Sequence, residues 1–177
     1  MTAEFTVPAL IERRYSKRIV KIISGGQTGV DRAALDAAIK HGVQCGGWCP
    51  AGRLDEFGRI LDCDPVKELE HGGFEDRTRA NVRDSDATIV IYFGELRGGT
   101  AQTVHFCIEQ KKPHQLIDAA QISSEDAARL IVDLVRERRT DILNVAGPRQ
   151  SQWAEGYDYA LGMMDVFLSV VKHDAQL

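Results

Sequence analysis

A glycine-rich segment early in the chain has the residue types of an anion-binding loop. Residues 24–31 read Ser-Gly-Gly-Gln-Thr-Gly-Val-Asp and follow the mainly apolar run Ile19–Ile23, which predicts a buried strand. A helical pattern begins at once with Arg32-Ala33-Ala34-Leu35. Glycines let the backbone approach a ligand closely, and free N–H groups at a helix start attract anions. The segment therefore predicts binding of a phosphate-bearing or otherwise anionic small molecule by Gly25, Gly26, Gln27, Thr28 and Gly29.

Two later glycine segments have the same position relative to a predicted strand and helix. Gly98-Gly99-Thr100 follows the apolar run Ala87–Phe93, and Gly147-Pro148-Arg149 follows the run Ile142–Ala146. The carboxyl ends of parallel strands lie at one edge of a sheet, which is where ligands bind in such folds. We therefore expect all three segments to form one site. The alternative, tight turns between strand and helix without a ligand, stays open for each of them.

Polar side chains in these segments have either a structural or a ligand-binding interpretation. Thr28 and Asp31 have the spacing of a capping box, in which Thr28 is the N-cap and Asp31 reaches back to it. Alternatively, Asp31 accepts a hydrogen bond from a hydroxyl or amine of the ligand. Thr100 is a natural N-cap, and its hydroxyl could also bind a phosphate oxygen.

Cationic and aromatic side chains near the expected edge could complete the site. Trp48 offers a flat apolar surface, and Arg53 offers the planar donor fork that binds oxyanions bidentately. Arg77, Arg79 and Arg83 are spaced around a predicted helix, so at most one or two of them point inward. Arg77 is the candidate from this run, and Arg149 is the candidate that follows the Gly-Pro turn. Solvated or structural salt bridges remain the alternative for each arginine.

The sequence contains no recognisable catalytic or metal-binding constellation. It lacks a Ser-His-Asp order with a nucleophile elbow, a histidine cluster and a Gly-Lys-Ser/Thr phosphate loop. Its carboxylates include Glu56, Glu95 and Glu109, but no spacing singles out an acid–base pair. Its four cysteines, without a second zinc-type pair, predict reduced structural thiols. These features favour a binding or carrier protein over an enzyme, with no catalytic and no metal-ligating residues.

Alternating strand and helix patterns predict a parallel α/β sheet covered on both faces. A long irregular stretch, Cys49–Glu75, interrupts them, and residues 1–17 predict a polar N-terminal arm. The predicted strands are Ile19–Ser24, Val43–Trp48, Ala87–Phe93, His114–Asp118 and Ile142–Ala146. The predicted helices are Gly29–His41, Asp76–Arg83, Thr100–Lys111, Ser123–Arg139 and Ser151–Lys172.

Length and composition fit one globular domain spanning residues 1–177. The 44% hydrophobic and 27% charged residues are ordinary for such a domain. A net charge of −4 does not favour nucleic-acid binding, and no apolar run predicts a membrane span. Residues 1–8 lack the pattern of a secretion signal, so we expect a cytoplasmic protein.

Motifs along residues 19–152 resemble the molybdenum carrier family, also described as molybdenum cofactor carrier proteins. That family is part of a Rossmann-like group that includes the Lonely-guy phosphoribohydrolases and a DNA-processing protein. The resemblance implies a single-domain, doubly wound Rossmann-like fold with a mostly parallel sheet of about five or more strands. It implies an oxyanion ligand, such as molybdate or the phosphate of molybdenum cofactor, and a homo-oligomer, commonly a tetramer. The matching segments are Ile23–Asp36, Gly47-Trp48-Cys49-Pro50 with Gly52-Arg53, Arg77-Thr78, Asn81-Val82, Asp84-Ser85-Asp86, Gly98-Gly99-Thr100, Lys112-Pro113 and Leu143–Arg149.

Three departures from the related patterns leave the ligand open. Ala51 stands where the family usually has lysine, and residues 54–58 replace a shorter Ala-Glu-Asp-Gly stretch. When Gly99-Thr100 is matched to the phosphoribohydrolase motif, Thr103 takes the place of the catalytic glutamate, which argues against glycosidic hydrolysis. A nucleotide-binding enzyme and a nucleotide sensor remain the alternatives to a carrier.

Overall fold

Strands and helices alternate along most of the computed structural model, which describes residues 21–173. The predicted arm, residues 1–17, and the start of the predicted first strand at Ile19 lie outside the described residues. The elements are β1 (Lys21–Ile23), α1 (Val30–Lys40), β2 (Gln44–Gly46), β3 (Trp48–Cys49), β4 (Leu54–Asp55), β5 (Gly58–Arg59), β6 (Lys67–Glu68), α2 (Phe74–Arg83), β7 (Ala87–Tyr92), α3 (Gly98–Glu109), β8 (His114–Asp118), α4 (Ser124–Arg138), β9 (Ile142–Ala146) and α5 (Gly156–His173).

Five parallel strands form the main sheet in the order β2-β1-β9-β7-β8. β9 lies between β1 and β7, with Leu143 opposite both Ile22 and Ala87. Ile89, Val90 and Ile91 of β7 are each 0% exposed. This confirms the predicted parallel sheet and the strand buried on both faces, because consecutive strand residues point to opposite sides.

Helices cover both faces of the sheet. On one face, α5 packs against α1 and α4, and Ala37, Ile131 and Phe167 join the strand side chains in the main core. On the other face, α2 packs against α3, where Val82, Phe106 and Cys107 form a smaller cluster. The single-domain, doubly wound Rossmann-like fold class is thus the observed one, which confirms that prediction. No helix within residues 21–173 is both long enough and apolar enough to cross a membrane.

The stretch predicted to be irregular, Cys49–Glu75, contains short strands instead. β4 and β5 form an antiparallel hairpin, and β6 pairs in parallel with β3. Each of these strands has two residues, too few to show the alternation by which a strand is recognised. Trp48 consequently belongs to β3, and the predicted second strand ends earlier, at Gly46.

Three helices begin two or more residues away from their predicted starts. α2 begins at Phe74 because the Asp76 carboxylate accepts a hydrogen bond from the Gly73 N–H and so caps the first turn. α3 begins at Gly98, so Thr100 lies inside the helix and is not its N-cap. α5 begins at Gly156, because the N–H groups of Gln152 and Trp153 both donate to the Arg149 carbonyl in a preceding turn.

Candidate functional site

The three glycine segments meet around one cleft at the carboxyl edge of the sheet. They follow β1, β7 and β9, which are neighbours in the order β1-β9-β7. α1 leaves β1 towards one face and α3 leaves β7 towards the other, so the segments diverge above β9 and leave a crevice. The predicted site residues that line this cleft are Gln27, Asp31, Arg77, Gly99, Thr100, Gly147 and Arg149.

A buried ion pair lies at the base of the cleft. Arg77 Nη1 lies 3.2 Å from Asp31 Oδ2, and the two side chains are 14% and 3% exposed. Burial raises the pKa of Asp31, while the charge of Arg77 and a hydrogen bond from the Gln27 N–H oppose that rise. Asp31 therefore accepts hydrogen bonds from Arg77 and from the first glycine segment. It does not form a capping box with Thr28, since Gly29 is the N-cap of α1.

The guanidinium of Arg77 keeps an unused donor. Its Nε is buried and has no hydrogen-bond partner among residues 21–173. Buried donors are normally paired, and leaving one unpaired costs about 1–3 kcal/mol. Arg77 is also one of the residues that line the cleft.

Glycines of the first segment are required by close contacts. A Cβ on Gly25 would lie 1.6 Å from Arg77 Nη1, so only glycine leaves room for the guanidinium. Gly29 has φ 76°, and a Cβ there would lie 2.7 Å from the Pro148 carbonyl oxygen, which places the first and third segments in contact. A Cβ on Gly26 would face Val66 and Ile60. Gly26 thus presents its Cα to the apolar residues under the β4–β5 hairpin and does not line the cleft.

Glu56, on the hairpin between β4 and β5, joins the first and third glycine segments. Its carboxylate accepts hydrogen bonds from the Thr28 hydroxyl and from the hydroxyl and N–H of Ser151. The Gln27 side-chain oxygen accepts from the N–H groups of Thr28 and Glu56, at 3.1 and 2.9 Å. Since two donors fix that oxygen, the amide nitrogen of Gln27 is the end left for a ligand.

Arg149 is the second cation of the cleft. No hydrogen bond or ion pair of its guanidinium is found within the described part of the chain, and its backbone N–H contacts the Gln152 side chain at 3.4 Å. The first turn of α3, with Gly99 and Thr100, opens into the same cleft and carries no side-chain cap. A guanidinium without a hydrogen-bond partner and a helix N-terminus both favour an anion.

Seven predicted site residues are not part of the cleft lining: Gly25, Gly26, Thr28, Gly29, Trp48, Arg53 and Gly98. Arg53 is 7% exposed, and its guanidinium donates to the carbonyl oxygens of Ile60, Leu61, Asp64 and Val66, so it holds the loop before β6. Trp48 lines a separate pocket with Lys21 and Lys67, and its indole N–H donates to Asp84 at 2.7 Å. Both side chains are used by the fold, and their binding of the ligand remains a prediction.

The remaining arginines of α2 point away from the cleft, as their spacing predicts. Arg79 lies over the Phe106 ring, with its Cζ 4.3 Å from the ring centroid, and contacts Glu109. Arg83 contacts Asp84. Only Arg77 of the three therefore reaches the site.

Within residues 21–173, no group of histidine, cysteine and carboxylate side chains is arranged to hold a metal ion. The cysteines are free thiols, and burial raises the pKa of Cys45, Cys49 and Cys107. An oxyanion in the cleft would therefore be held by donors and cations.

The sequence model of the circularly permutated YpsA SLOG family matches residues 22–168. The chain belongs to this family.

A crystal structure of a similar protein supports this assignment. The chain resembles the crystal structure of "Putative molybdenum carrier protein" from Syntrophus aciditrophicus SB, with 47% sequence identity and a TM-score of 0.83. The similarity covers 86% of this chain and 96% of that one. The resemblance predicted from the sequence motifs is thereby confirmed. A comparison with curated proteins gave no match.

In this SLOG chain, sequence reasoning missed several residues of the cleft. Phe74 lies one helical turn before Arg77, and Thr78 follows Arg77 directly. Gln102 and Thr103 lie one turn after Gly99. Gln102 and Thr103 are the i+3 and i+4 neighbours of Gly99, so extending that candidate along its helix would have found them. Phe74 is the i−3 neighbour of Arg77, whereas Thr78 follows no such spacing. The missed lining residues are Phe74, Thr78, Gln102, Thr103, Ala146 and Gln152.

Proposed function

We propose that the protein binds a phosphate-bearing or oxyanion small molecule in the cleft and acts as a carrier of molybdenum cofactor or molybdate. The observation that carries the proposal is the Arg77 guanidinium, held at the base of the cleft with a buried Nε that lacks a partner in the described chain. The name of the 47%-identical relative supports the choice of a molybdenum-containing ligand.

The electrostatics of the cleft suit an anion. Arg77 and Arg149 contribute two cations to its lining, and Asp31 contributes the single carboxylate. The N-terminus of α3 adds a partial positive charge directed at the same space. A bound anion would take the guanidinium groups of Arg149 and Arg77 and the Gln27 amide nitrogen as donors.

The donor arrangement supports binding without turnover. Asp31, the carboxylate of the cleft lining, already accepts from Arg77 and from the Gln27 N–H, so it is not free as a general base. Thr103, at the position of the phosphoribohydrolase glutamate, lines the cleft, and its hydroxyl donates to the Gly99 carbonyl at 3.0 Å. The nucleotide-processing alternative would need an acid or base other than Asp31.

The decisive experiment identifies what the protein carries. Protein purified without oxygen would be denatured, and the released small molecules analysed by absorbance, mass spectrometry and elemental molybdenum analysis. A pterin or molybdenum signal that is lost in the Arg149→Ala variant supports the carrier proposal. A nucleotide in the same assay would support the alternative. If neither molecule is released, and calorimetry detects no binding of molybdate or phosphate, the proposal fails.

We also propose that the protein forms a homo-oligomer, with a tetramer as the expected state. The β4–β5 hairpin and the loop that follows it carry exposed apolar side chains that a second copy could cover, including Phe57 and Leu61, which are 74% and 65% exposed. Light scattering coupled to size exclusion would measure the mass against the 19.6 kDa chain. A monomer across the accessible concentration range would refute this part of the proposal.

A further inference from the structure

A second groove adjoins the cleft and shares Thr100 and Gln152 with it. Its other lining residues come from the end of β7, from the approach to α3 and from the turn before α5: Tyr92, Phe93, Glu95, Arg97, Pro148 and Trp153. Because two side chains border both spaces, one ligand can extend from the cleft into the groove. The groove is therefore placed to hold whatever is attached to the anionic group.

The wall of the groove is an aromatic pair. The rings of Phe93 and Trp153 are stacked with centroids 5.3 Å apart and planes 25° apart. Trp153 also packs on Tyr159, with centroids 5.4 Å apart, so its indole is held from behind. Phe93 is nevertheless 54% exposed, although it directly follows a strand that is mostly buried. An exposed, fixed aromatic surface beside an anion cleft suits a planar ring.

The rim of the groove is polar. Glu95 and Arg97 form an exposed pair, with Arg97 Nη1 3.6 Å from Glu95 Oε2. A carboxylate can accept from two neighbouring N–H donors at once. Pterin and guanine rings both present such a pair, a ring N–H beside an exocyclic amino group. Adenine lacks the ring N–H of that pair.

We propose that the groove binds the planar, nitrogen-rich ring of the ligand whose phosphate or other anionic group occupies the cleft. Phe93, backed by Trp153, stacks its outer face against the ring, and Glu95 accepts from the adjacent N–H groups of the ring. The shared chemistry is that of a pterin phosphate or a guanine nucleotide. This inference rests on the proposed anion binding and adds the class of molecule to which the anion belongs.

Calorimetry with matched probes tests the ring subsite. The probes are inorganic phosphate, ribose 5-phosphate, AMP, GMP and dihydroneopterin monophosphate. Stacking predicts that GMP or the pterin phosphate binds at least about five-fold more tightly than ribose 5-phosphate. Tighter binding of the pterin phosphate than of GMP would assign a pterin as the source of the ring, and the reverse order would assign a nucleotide.

Two variants assign the interaction to its residues. Phe93→Ala should lower the affinity for the ring-bearing probes by about five-fold or more and leave that for ribose 5-phosphate unchanged. Glu95→Gln should reduce the preference for GMP over AMP, because the amide offers one acceptor oxygen where the carboxylate offers two. Ile108→Ala is the control, since it removes an exposed apolar side chain that lines neither space. It should change no affinity.

The outcomes separate this inference from the proposed function. If ribose 5-phosphate and GMP bind equally, or if Phe93→Ala affects both alike, the ring subsite is refuted while anion binding stands. If no phosphate-bearing probe and no molybdate binds to the wild-type protein, the proposed function itself fails, and the ring subsite fails with it.

Discussion

The guanidinium of Arg77 occupies the space that a side chain on Gly25 would fill, with Nη1 1.6 Å from the ideal Cβ position. Asp31 Oδ2 holds the same nitrogen at 3.2 Å and lies 2.8 Å from that Cβ position. The glycine, the carboxylate and the arginine therefore form one unit. Because Gly25 has no side chain, the Arg77 guanidinium of α2 fits beside it in the cleft wall. Its backbone could also approach a ligand closely.

Gly25→Ala should displace Arg77 and weaken anion binding. The added methyl group overlaps the guanidinium, so the arginine must leave its position beside Asp31. We expect an affinity for molybdate or phosphate lower by about ten-fold, as for the loss of one charged hydrogen bond. Calorimetry measures the affinity, and thermal unfolding checks that the variant is folded. Gly162→Ala is the control, because its Cβ would meet Ser124 at an ordinary 3.6 Å; equal affinities of the two folded variants would contradict the prediction.

Arg149→Ala should weaken binding without destabilising the fold. Its guanidinium has no hydrogen-bond partner in the described structure, so its removal leaves no protein group unpaired. Loss of a charged donor to the ligand costs about 1–3 kcal/mol of binding free energy. Arg129→Ala removes an exposed arginine of α4 that contacts Asp126, and it should leave binding unchanged. Unaltered binding by Arg149→Ala would remove this residue from the site.

Glu56→Gln should loosen the contact between the first and third glycine segments. Burial alone would raise the pKa of Glu56, but hydrogen bonds from Ser151 and Thr28 outweigh it and hold the pKa below its usual 4.5. A lowered pKa means that the carboxylate stabilises the folded state above pH 4.5 and loses this effect as pH falls through the folded pKa.

Amide hydrogen exchange measures the loosening directly. At neutral pH the Ser151 amide, which donates to Glu56, should exchange faster in Glu56→Gln than in the wild type. The difference in unfolding free energy between the two proteins should shrink at acidic pH. Glu137→Gln, on the exposed face of α4, is the control. Unchanged exchange at Ser151 would show that the hairpin is not anchored through this carboxylate.

The raised pKa of Asp31 predicts a pH dependence of stability that is opposite to that of Glu56. Its folded pKa lies above the unfolded value of 3.8, first because of burial, against the opposing charge of Arg77. Its contribution to stability is therefore complete below pH 3.8 and is lost as pH rises through the folded pKa. In Asp31→Asn, Arg77 lacks a counter-charge at every pH in this range. The cost to the stability of the variant is therefore constant.

Denaturant unfolding of the wild type and Asp31→Asn across acidic to neutral pH tests this sign. The unfolding free energy of the variant, relative to the wild type, should rise with pH above 3.8. A relative stability that falls with pH would mean that Arg77 lowers the pKa of Asp31 more strongly than burial raises it.

The sequence predicted the strands and helices whose residues follow a clear hydrophobic pattern. The run from Ala87 to Tyr92 is apolar and β-branched, and the strand lies where that pattern puts it. The three glycine segments were assigned to one edge from topology alone, and their members meet there. Both inferences needed only local pattern and the geometry of parallel sheets.

The roles of several polar side chains depend on contacts between segments that are far apart in the sequence, so they could not be predicted from it. Arg53 and Arg77 look alike in sequence, yet Arg53 donates to four backbone carbonyls of its own loop, whereas Arg77 crosses to Asp31. Glu56 has no local pattern that marks it, because its partners Thr28 and Ser151 are far from it along the chain. Which arginine reaches the cleft depends on packing that no single segment encodes.

The central position of β9 has a consequence for how the protein is made. β1 and β7 do not pair with each other; each pairs with β9, which is synthesised after both. While the ribosome is still adding residues before 142, β1 and β7 each keep one edge without its native neighbour. The growing chain must therefore protect two open strand edges until its last strand arrives. We expect nascent chains stalled before β9 to engage chaperones, and release of β9 from the ribosome to complete the sheet and the cleft in one step.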